Sequence, residues 1–481
     1  MRHAHHPTFR SPLVTEPEDT IVDHLIAKLG TDVVLEGDAM PLRAFRDSSG
    51  QEPTRPLALV RPQTAEEVSV VLGLCHQLGI SVVPQAGLTG LAGGAHPVAA
   101  GIALSLERMT GVEEIDPLMG TMTVRAGTPL QAVQEAADKA GFLFALDLGA
   151  RGSCTIGGVI ATNAGGNRVI RYGMAREHIL GLEVVLPDGQ IVTSLNKLIK
   201  NNAGYDLKQL FIGSEGTLGV VTRAVLRLQP APASTTAALV GCSGFDKVPA
   251  ILAAARTQFG PSLSAFEAMW PDFYDFMVAN IPASGSPLGG KHGLYLLVEA
   301  SEFEAGREVE RLENMLAALM QAGVIEDAVV ARSNGESKTL WSIREGVSEY
   351  RRLLGKVVSF DIGLQTASIG QFVEEVRTAL SQRWPGILSH FYGHIGDSNL
   401  HIVTNLPAAD ATAQKADITR LVYDRVRKAG GTVSAEHGIG TQKLPYLSYS
   451  RTSAEVALMA LIKRALDPRN IMNTGKVLPL G

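Results

Sequence analysis

Two short stretches in the last ninety residues hold most of the side chains suited to acid–base and metal chemistry. Gly393-His394-Ile395-Gly396-Asp397-Ser398-Asn399-Leu400-His401 sets two imidazoles either side of a Gly-Asp-Ser-Asn turn. Ser434-Ala435-Glu436-His437-Gly438-Ile439-Gly440 adds a carboxylate and a third imidazole. Residues seven apart on one straight strand face opposite ways. A turn over 396–399 removes that objection and lets the two imidazoles converge. Two histidines and a carboxylate with one open position suit a catalytic divalent cation, Zn2+ first, with Mn2+, Co2+ or Fe2+ also compatible. The competing reading is structural: the same polar groups would satisfy buried backbone.

A second kind of chemistry is written near residue 90. The apolar run Ile80–Val83 ends at Pro84 and empties into Gln85-Ala86-Gly87-Leu88-Thr89-Gly90-Leu91-Ala92-Gly93-Gly94. Glycine lets a ligand approach the backbone, so successive N–H groups can cradle a phosphate. The spacing G-x-x-G-x-x-G-G is not the dinucleotide fingerprint, and no Lys-Ser/Thr follows as a P-loop requires. A Gly-rich surface turn is the plain alternative. The segment Leu146–Asn167 holds small residues and hydroxyls with few large side chains. It is expected not to form an ordinary core helix, but to bring backbone and hydroxyls against a large flat ligand.

These loops need elements to position them. Thr64-x-x-Glu67 has the form of a capping box, followed by Val68, Val71, Leu72, Cys75 and Leu78 at helical spacing, with Gly79 as the stop. The strand Ile80–Val83 follows, which puts the Gly-rich loop at the strand's C-terminal end. Further strands are expected at Ile102–Leu106, Thr121–Ala126 and Thr222–Leu228, with a helix over Pro129–Ala140. Pro187-Asp188-Gly189 should turn a hairpin, and 229–234 reads as a linker. Beyond it, helices at 245–258, 302–322, 369–383 and 411–429 alternate with strands at 294–299, 356–362 and 387–392. That is an α+β cap, an antiparallel sheet with helices stacked on one face. The loop 280–290, rich in Pro, Gly and Ser, is a candidate mobile segment.

Composition sets the outer limits. The chain has 481 residues, is 45% hydrophobic and 19% charged, and carries a net charge of −5. With no Lys/Arg block, nucleic acid is not expected as a partner. Charges interrupt every apolar run well short of about 18 residues, so no membrane-spanning helix is expected. Cys75, Cys154 and Cys242 lie far apart, which excludes a zinc ribbon or iron–sulfur motif and fits a reducing compartment. Met1–Thr15 lacks the apolar core of a secretory signal and reads as a short disordered tail.

The 84–94, 146–167 and 201–221 stretches, in that order, resemble the flavin-binding domain of the vanillyl-alcohol-oxidase (PCMH) type. Nearly the whole chain is similar to the D-2-hydroxy-acid dehydrogenases, a family that includes D-lactate dehydrogenase, D-2-hydroxyglutarate dehydrogenase and the flavoprotein component of glycolate oxidase. The resemblance implies an α+β protein: a two-subdomain FAD-binding domain over 51–230, with 1–50 packed on it. A substrate-binding cap domain over 231–430 and a segment over 431–481 returning to the flavin domain complete the expected organisation. Residues matching the FAD pyrophosphate loop are Pro84, Gln85, Ala86, Gly87, Leu88, Thr89, Gly90 and Leu91. Those matching the isoalloxazine and ribityl lining are Ser153, Thr155, Gly157, Gly158 and Asn163. Gly219, Val220 and Val221 match the adenine end, and Asn473 matches a residue that approaches the flavin. No histidine stands in the loop, so the FAD is expected to be non-covalent.

The resemblance further places metal ligands at His394, His401 and Glu436, the proton acceptor at His437 and the substrate-carboxylate anchor at Arg344. An Arg fork suits a carboxylate; without the resemblance, Arg344 would read as a surface residue paired with Glu345 or Glu349. The implied reaction is oxidation of a D-2-hydroxy acid to the 2-oxo acid, with electrons passed on to electron-transfer flavoprotein, a quinone or a cytochrome. A homodimer is expected, in the cytoplasm or, for a eukaryotic chain, the mitochondrial matrix. There are departures from the family pattern: Ala86, Leu88 and Leu148 in the flavin loops, and Ser359 and Val403 where D-2-hydroxyglutarate dehydrogenases carry Lys and Asn. A second substrate carboxylate would then need another partner, such as Arg351 or Arg352, and a monocarboxylate with an apolar tail competes. An oxidase using O2 and a non-catalytic flavin-binding protein are the alternative readings; the intact His394, His401, Glu436 and His437 argue against the second.

Overall fold

The computed structural model describes residues 17–281, 285–406 and 411–480, leaving aside the side chains of 17–20, 348 and 351. The tail expected over Met1–Thr15 and part of the 280–290 loop lie outside the described residues.

The first sheet is built from β1 (Val34–Leu35), β2 (Ala58–Val60), β3 (Ser81–Gln85) and β4 (Gly101–Ser105), in the order β1-β2-β4-β3. β2, β4 and β3 run parallel, and β1 adds on antiparallel. The helix Ala65–Leu78 starts where the Thr64 side chain accepts from the Glu67 amide and stops at Gly79, whose φ is 71°. Its apolar stripe, Val68, Val71, Leu72 and Cys75, is buried together with Ile21, Val22 and Leu25 of the helix Pro17–Leu29. β3 runs two residues past the expected stop, through Pro84. The reason is its edge position, where a proline costs no ladder bond. The Val82 N–H donates to the Ile471 carbonyl (2.7 Å) and the Val82 carbonyl accepts from the Asn473 amide (2.9 Å), so the C-terminal tail covers this edge.

The second sheet comprises β5 (Val112–Asp116), β6 (Thr121–Arg125), β8 (Ile179–Val185), β9 (Ile191–Ser194) and β10 (Val220–Arg227), antiparallel in the order β5-β6-β10-β8-β9. A two-residue strand β7 (Phe142–Leu143) pairs with β11 (Gln229–Pro230), so part of the expected linker is strand. The hairpin at 187–189 forms, with Gly189 at φ 92°. The 146–167 segment departs from expectation, because Ile156–Thr162 is a short helix with Ile156, Val159 and Ile160 in the core. Its small residues permit this. A Cβ on Gly157 would stand 2.9 Å from the Ala126 Cβ, so only glycine lets the helix lie on the end of β6.

The cap sheet holds seven antiparallel strands: β12 (Ser234–Cys242), β13 (Leu263–Met269), β14 (Leu294–Glu302), β15 (Asp327–Val330), β16 (Val357–Gly363), β17 (Ser389–Gly393) and β18 (Asn399–Asn405). Their order is β15-β12-β14-β13-β17-β18-β16. Helices cover both faces, not the one expected. Val248–Phe259, Arg307–Gln321, Ile369–Arg383 and Ala411–Lys428 close the face of Val240, Phe266, Leu296 and Phe360. Pro271–Asn280 and Asn334–Glu345 close part of the face of Leu239, Met269, Leu297 and Tyr392. Continuously apolar strands such as Ala237–Cys242 are buried on both sides, as two-sided coverage requires. Among the described residues no helix is long and apolar enough to cross a membrane.

Candidate active site

The second face of the cap sheet carries charge at its far end. Register places Asp361 of β16 and Tyr392 of β17 opposite His401 of β18. The turn expected at 396–399 is a short 3-10 segment closed by Ser398 at φ 72°, and it swings His394 back beside His401, ring centroids 5.3 Å apart. Glu436 Oε1 then lies 3.9 Å from His394 Nε2, 3.5 Å from His401 Nε2 and 3.8 Å from His437 Nε2. Donor atoms around a tetrahedral Zn2+ with bonds of about 2.1 Å stand about 3.4 Å apart. The donor types fit a divalent cation, and the Glu436 oxygen stands near that spacing from each imidazole, although the group whose donor atoms are all mutually close does not include His394. Side-chain exposure is 8% for His394, 9% for His401 and 28% for His437. Of the three imidazoles, His437 has the most room for a substrate.

Two buried carboxylates organise the cluster. Glu267 of β13 bridges His394 Nδ1 (2.7 Å) and Arg344 Nε (2.8 Å). Burial alone would push its carboxyl up, but His394 and Arg344 outweigh that and hold it below the usual range. For His394, burial opposes the charge, yet Glu267 prevails and raises the imidazole to about 9. Such a carboxylate behind a histidine fixes which ring nitrogen faces the centre. Arg344 is buried against the Tyr392 ring, 4.7 Å from its centroid. It is therefore no surface residue, and its fork points into the cluster, with Nη2 3.5 Å from His394 Nε2.

Asp361 is fully buried and accepts from the backbone amides of Ala435, Glu436 and His437 at 3.2, 3.0 and 2.9 Å. Burial disfavours its charge, but His437, Lys443 and His401, with the His437 amide, hold the carboxyl far below the usual range. Donor atoms of Asp361, His401, Glu436 and His437 lie within 4.8 Å of one another. The oxygens of Asp361 are taken up by the loop amides, Asn399 and Lys443. That leaves Asp361 as a support for the loop, with Glu436 facing inward. Of the two cap-domain residues that depart from the family pattern, Ser359 is exposed and Val403 buried on this face. Arg352 is turned to Glu349 (2.6 Å), and the side chain of Arg351 lies outside the described residues.

The flavin-side residues also converge. A Cβ on Gly87 would stand 2.2 Å from the Ser153 carbonyl oxygen, so the 84–91 loop lies directly on the 153–158 segment. Gly158 faces Ala86, and Gly216 faces Pro84 and Asn473. The Thr155 hydroxyl is buried without a hydrogen-bond partner among the described residues, while Gly90 opens onto free space. An unpaired hydroxyl beside a glycine cradle fits a large polar cofactor such as FAD. Several expected contacts are otherwise engaged. The Gln85 amide donates to the Ala44 and Ala95 carbonyls, and Asn163 Oδ1 accepts from the Arg176 amide. Val220 and Val221 are core residues of β10, so only backbone is available there. The two halves meet at Gly165, where a Cβ would come within 2.8 Å of Glu436 Oε2.

Sequence reasoning missed Glu267, Asp361 and Glu215. The available signal was a lone acid inside an apolar strand, as in Leu263-Ser264-Ala265-Phe266-Glu267-Ala268-Met269. A buried, unpaired charge is too costly to stand there without partners.

Residues 56–194 match the family described as FAD binding domain, and residues 231–477 match FAD linked oxidases, C-terminal domain. The chain is 39% identical over 445 residues to D-2-hydroxyglutarate dehydrogenase of Xanthomonas citri pv. viticola, covering 90% of this chain and 91% of that protein. It is 39% identical over 427 residues to mitochondrial D-2-hydroxyglutarate dehydrogenase of Rattus norvegicus, covering 88% and 78%. The fold resembles p-cresol methylhydroxylase, with a TM-score of 0.78 at 17% identity over 96% and 97% of the two chains. It also resembles 4-ethylphenol oxidase from Gulosibacter chungangensis, with a TM-score of 0.75 at 16% identity over 98% and 99%. At that identity the likeness is one of fold, and the fold is the PCMH type.

Proposed function

The chain belongs to the FAD-linked oxidases, beside the D-2-hydroxyglutarate dehydrogenases, and we propose that it oxidises a D-2-hydroxy acid to the 2-oxo acid with FAD. The observation that carries the active-site assignment is the convergence of three imidazoles on Glu436 Oε1 beside a buried guanidinium. Pro84–Leu91, Ser153–Gly158 and Asn473 would hold FAD, and His394, His401 and Glu436 would hold a divalent cation, Zn2+ first. When bound, FAD supplies the acceptor for the C2 hydride, and the cation supplies electrostatic stabilisation for a developing alkoxide.

The chain's own groups do the rest. Arg344, held in place by Glu267, orients the substrate carboxylate by charge-assisted hydrogen bonds. His437 takes the C2 hydroxyl proton at Nε2. Asp361, 3.7 Å from His437 Nδ1, favours the charge this leaves on the ring. The substrate is 2-hydroxyglutarate, lactate or a related acid, and the electrons pass on to electron-transfer flavoprotein, a quinone or a cytochrome. A mitochondrial compartment is supported for a eukaryotic chain by the rat relative, and the cytoplasm is proposed otherwise.

The test is anaerobic mixing of the FAD-loaded protein with a panel of D- and L-2-hydroxy acids, with metal analysis alongside. Flavin bleaching by D-acids only supports the reading; a flavin that no acid reduces would end it.

A further inference from the structure

The loop 434–440 has no helix or strand of its own, yet five of its amides are bound by two carboxylates from opposite sides. Asp361, in the cap sheet, takes Ala435, Glu436 and His437. Glu215, in the flavin domain just before β10, takes Ile439 through Oε1 at 2.7 Å and Gly440 through Oε2 at 2.9 Å. His437 therefore sits between two clamps, one from each half of the molecule.

Glu215 is itself firmly placed. It is 8% exposed, its amide donates to the Ala161 carbonyl, and its carbonyl accepts from Asn473 Nδ2 at 2.5 Å. Its backbone has φ 52°, between Gly213 at 81° and Gly216 at 70°. A non-glycine residue persists in that region only where its surroundings over-determine it. The carboxylate fills a slot that glycine leaves open. A Cβ on Gly438 would stand 2.7 Å from it, and one on Gly94, at the end of the phosphate-type loop, 3.2 Å.

We infer that Glu215 is the positioning residue for His437: it fixes from the flavin side the loop that Asp361 fixes from the cap side. The same residue touches the 84–94 loop and the C-terminal tail through Gly94 and Asn473, so the placement of His437 is coupled to the integrity of the flavin site. A carboxylate is required because two neighbouring amides demand two acceptors on one planar group. A carboxamide offers one acceptor and turns an N–H toward the other amide. The inference rests on the proposed role of His437 as proton acceptor.

The experiment compares Glu215→Gln and Glu215→Asp with the unaltered FAD-loaded enzyme, using the acid from the panel that reduces the flavin fastest. Rates are expressed per bound flavin, so that lost cofactor is not counted as lost chemistry. Glu215→Gln is expected to lower kcat per flavin by roughly tenfold or more with KM changed by less than about threefold. Glu215→Asp, which keeps both acceptors, should recover part of the loss. In a His437→Ala background, Glu215→Gln should add less than about twofold. Where Glu215→Gln does not retain flavin, hydrogen exchange over 434–443 in Glu215→Asp gives the answer, with faster exchange than in the unaltered enzyme expected. A kcat per flavin within about twofold of the unaltered enzyme, an equal loss without His437, or unchanged exchange overturns the inference. If no acid reduces the unaltered enzyme, it is the proposed function that fails, and the exchange measurement still decides the positioning role.

Discussion

At the scale of single residues, the site depends on buried groups whose partners differ in kind. His437→Ala should lower kcat by about 10²–10⁴-fold, the usual range for a lost general base, while the protein stays yellow. Steady-state rates and the flavin absorbance bands, measured on the same sample, check both halves of that expectation. Arg344→Lys keeps the charge but loses the fork that reaches Glu267 and the cluster at once. It should lower kcat/KM by roughly ten- to a hundredfold, the worth of one charge-assisted bond of about 1.5–3 kcal/mol. Soaking out the proposed cation with a chelator should abolish turnover and leave the flavin spectrum, with activity restored by Zn2+ or Mn2+. A chelated enzyme that turns over at full rate removes the metal from the reading.

At the scale of elements, the 84–91 loop is tightly constrained at Gly87. Gly87→Ala would drive a Cβ into the Ser153 carbonyl, so that variant should purify with little or no flavin. Leu88 has φ 56°, a region that costs a branched side chain but suits Asn. Leu88→Asn should raise the midpoint of thermal unfolding, by the equivalent of about 1 kcal/mol. Much of this architecture was legible in the residues: the capped helix 65–78, the hairpin at 187–189 and the helix 369–383 follow from local spacing and turn chemistry. The convergence of His394 with His401 was legible because a turn lay between them. What was not legible depended on partners far away in sequence. Pro84 reads as a strand end until the tail residues 471–473 are seen beside it. Gly157 reads as a helix breaker until Ala126 is seen beneath it. Glu267 and Asp361 read as chance charges until the sheet register brings them to His394 and His401.

At the scale of the whole molecule, the two halves share one site, and each buries a histidine that burial pushes down to about 4, His178 in the flavin domain and His390 in the cap. His178, in the flavin domain, is buried edge-on to Phe144, and among the described residues its ring nitrogens lack a partner of normal geometry. Burial, offset only in part by the Gly173 backbone, pushes it down to about 4. The unfolded chain therefore binds this proton first. Stability from His178 is intact above about pH 6.5 and drains away as pH falls toward 4, by about 3 kcal/mol in all. Denaturant unfolding between pH 7 and 4.5 should show that slope, and His178→Phe should flatten it. An unchanged slope in the variant would assign the acid sensitivity elsewhere. The three thiols, Cys75, Cys154 and Cys242, are buried and pushed up to about 12, 11 and 11. Thiol reagents should therefore leave the native protein unlabelled.

The pairing of Val82 with residues 471 and 473 also sets an order of events during synthesis. β3 emerges from the ribosome almost four hundred residues before the segment that seals its edge. For most of translation the flavin sheet has one unsatisfied rim, open to pairing with a neighbouring nascent chain. Conditions that stall elongation late should therefore yield self-associating protein while leaving earlier-formed parts intact.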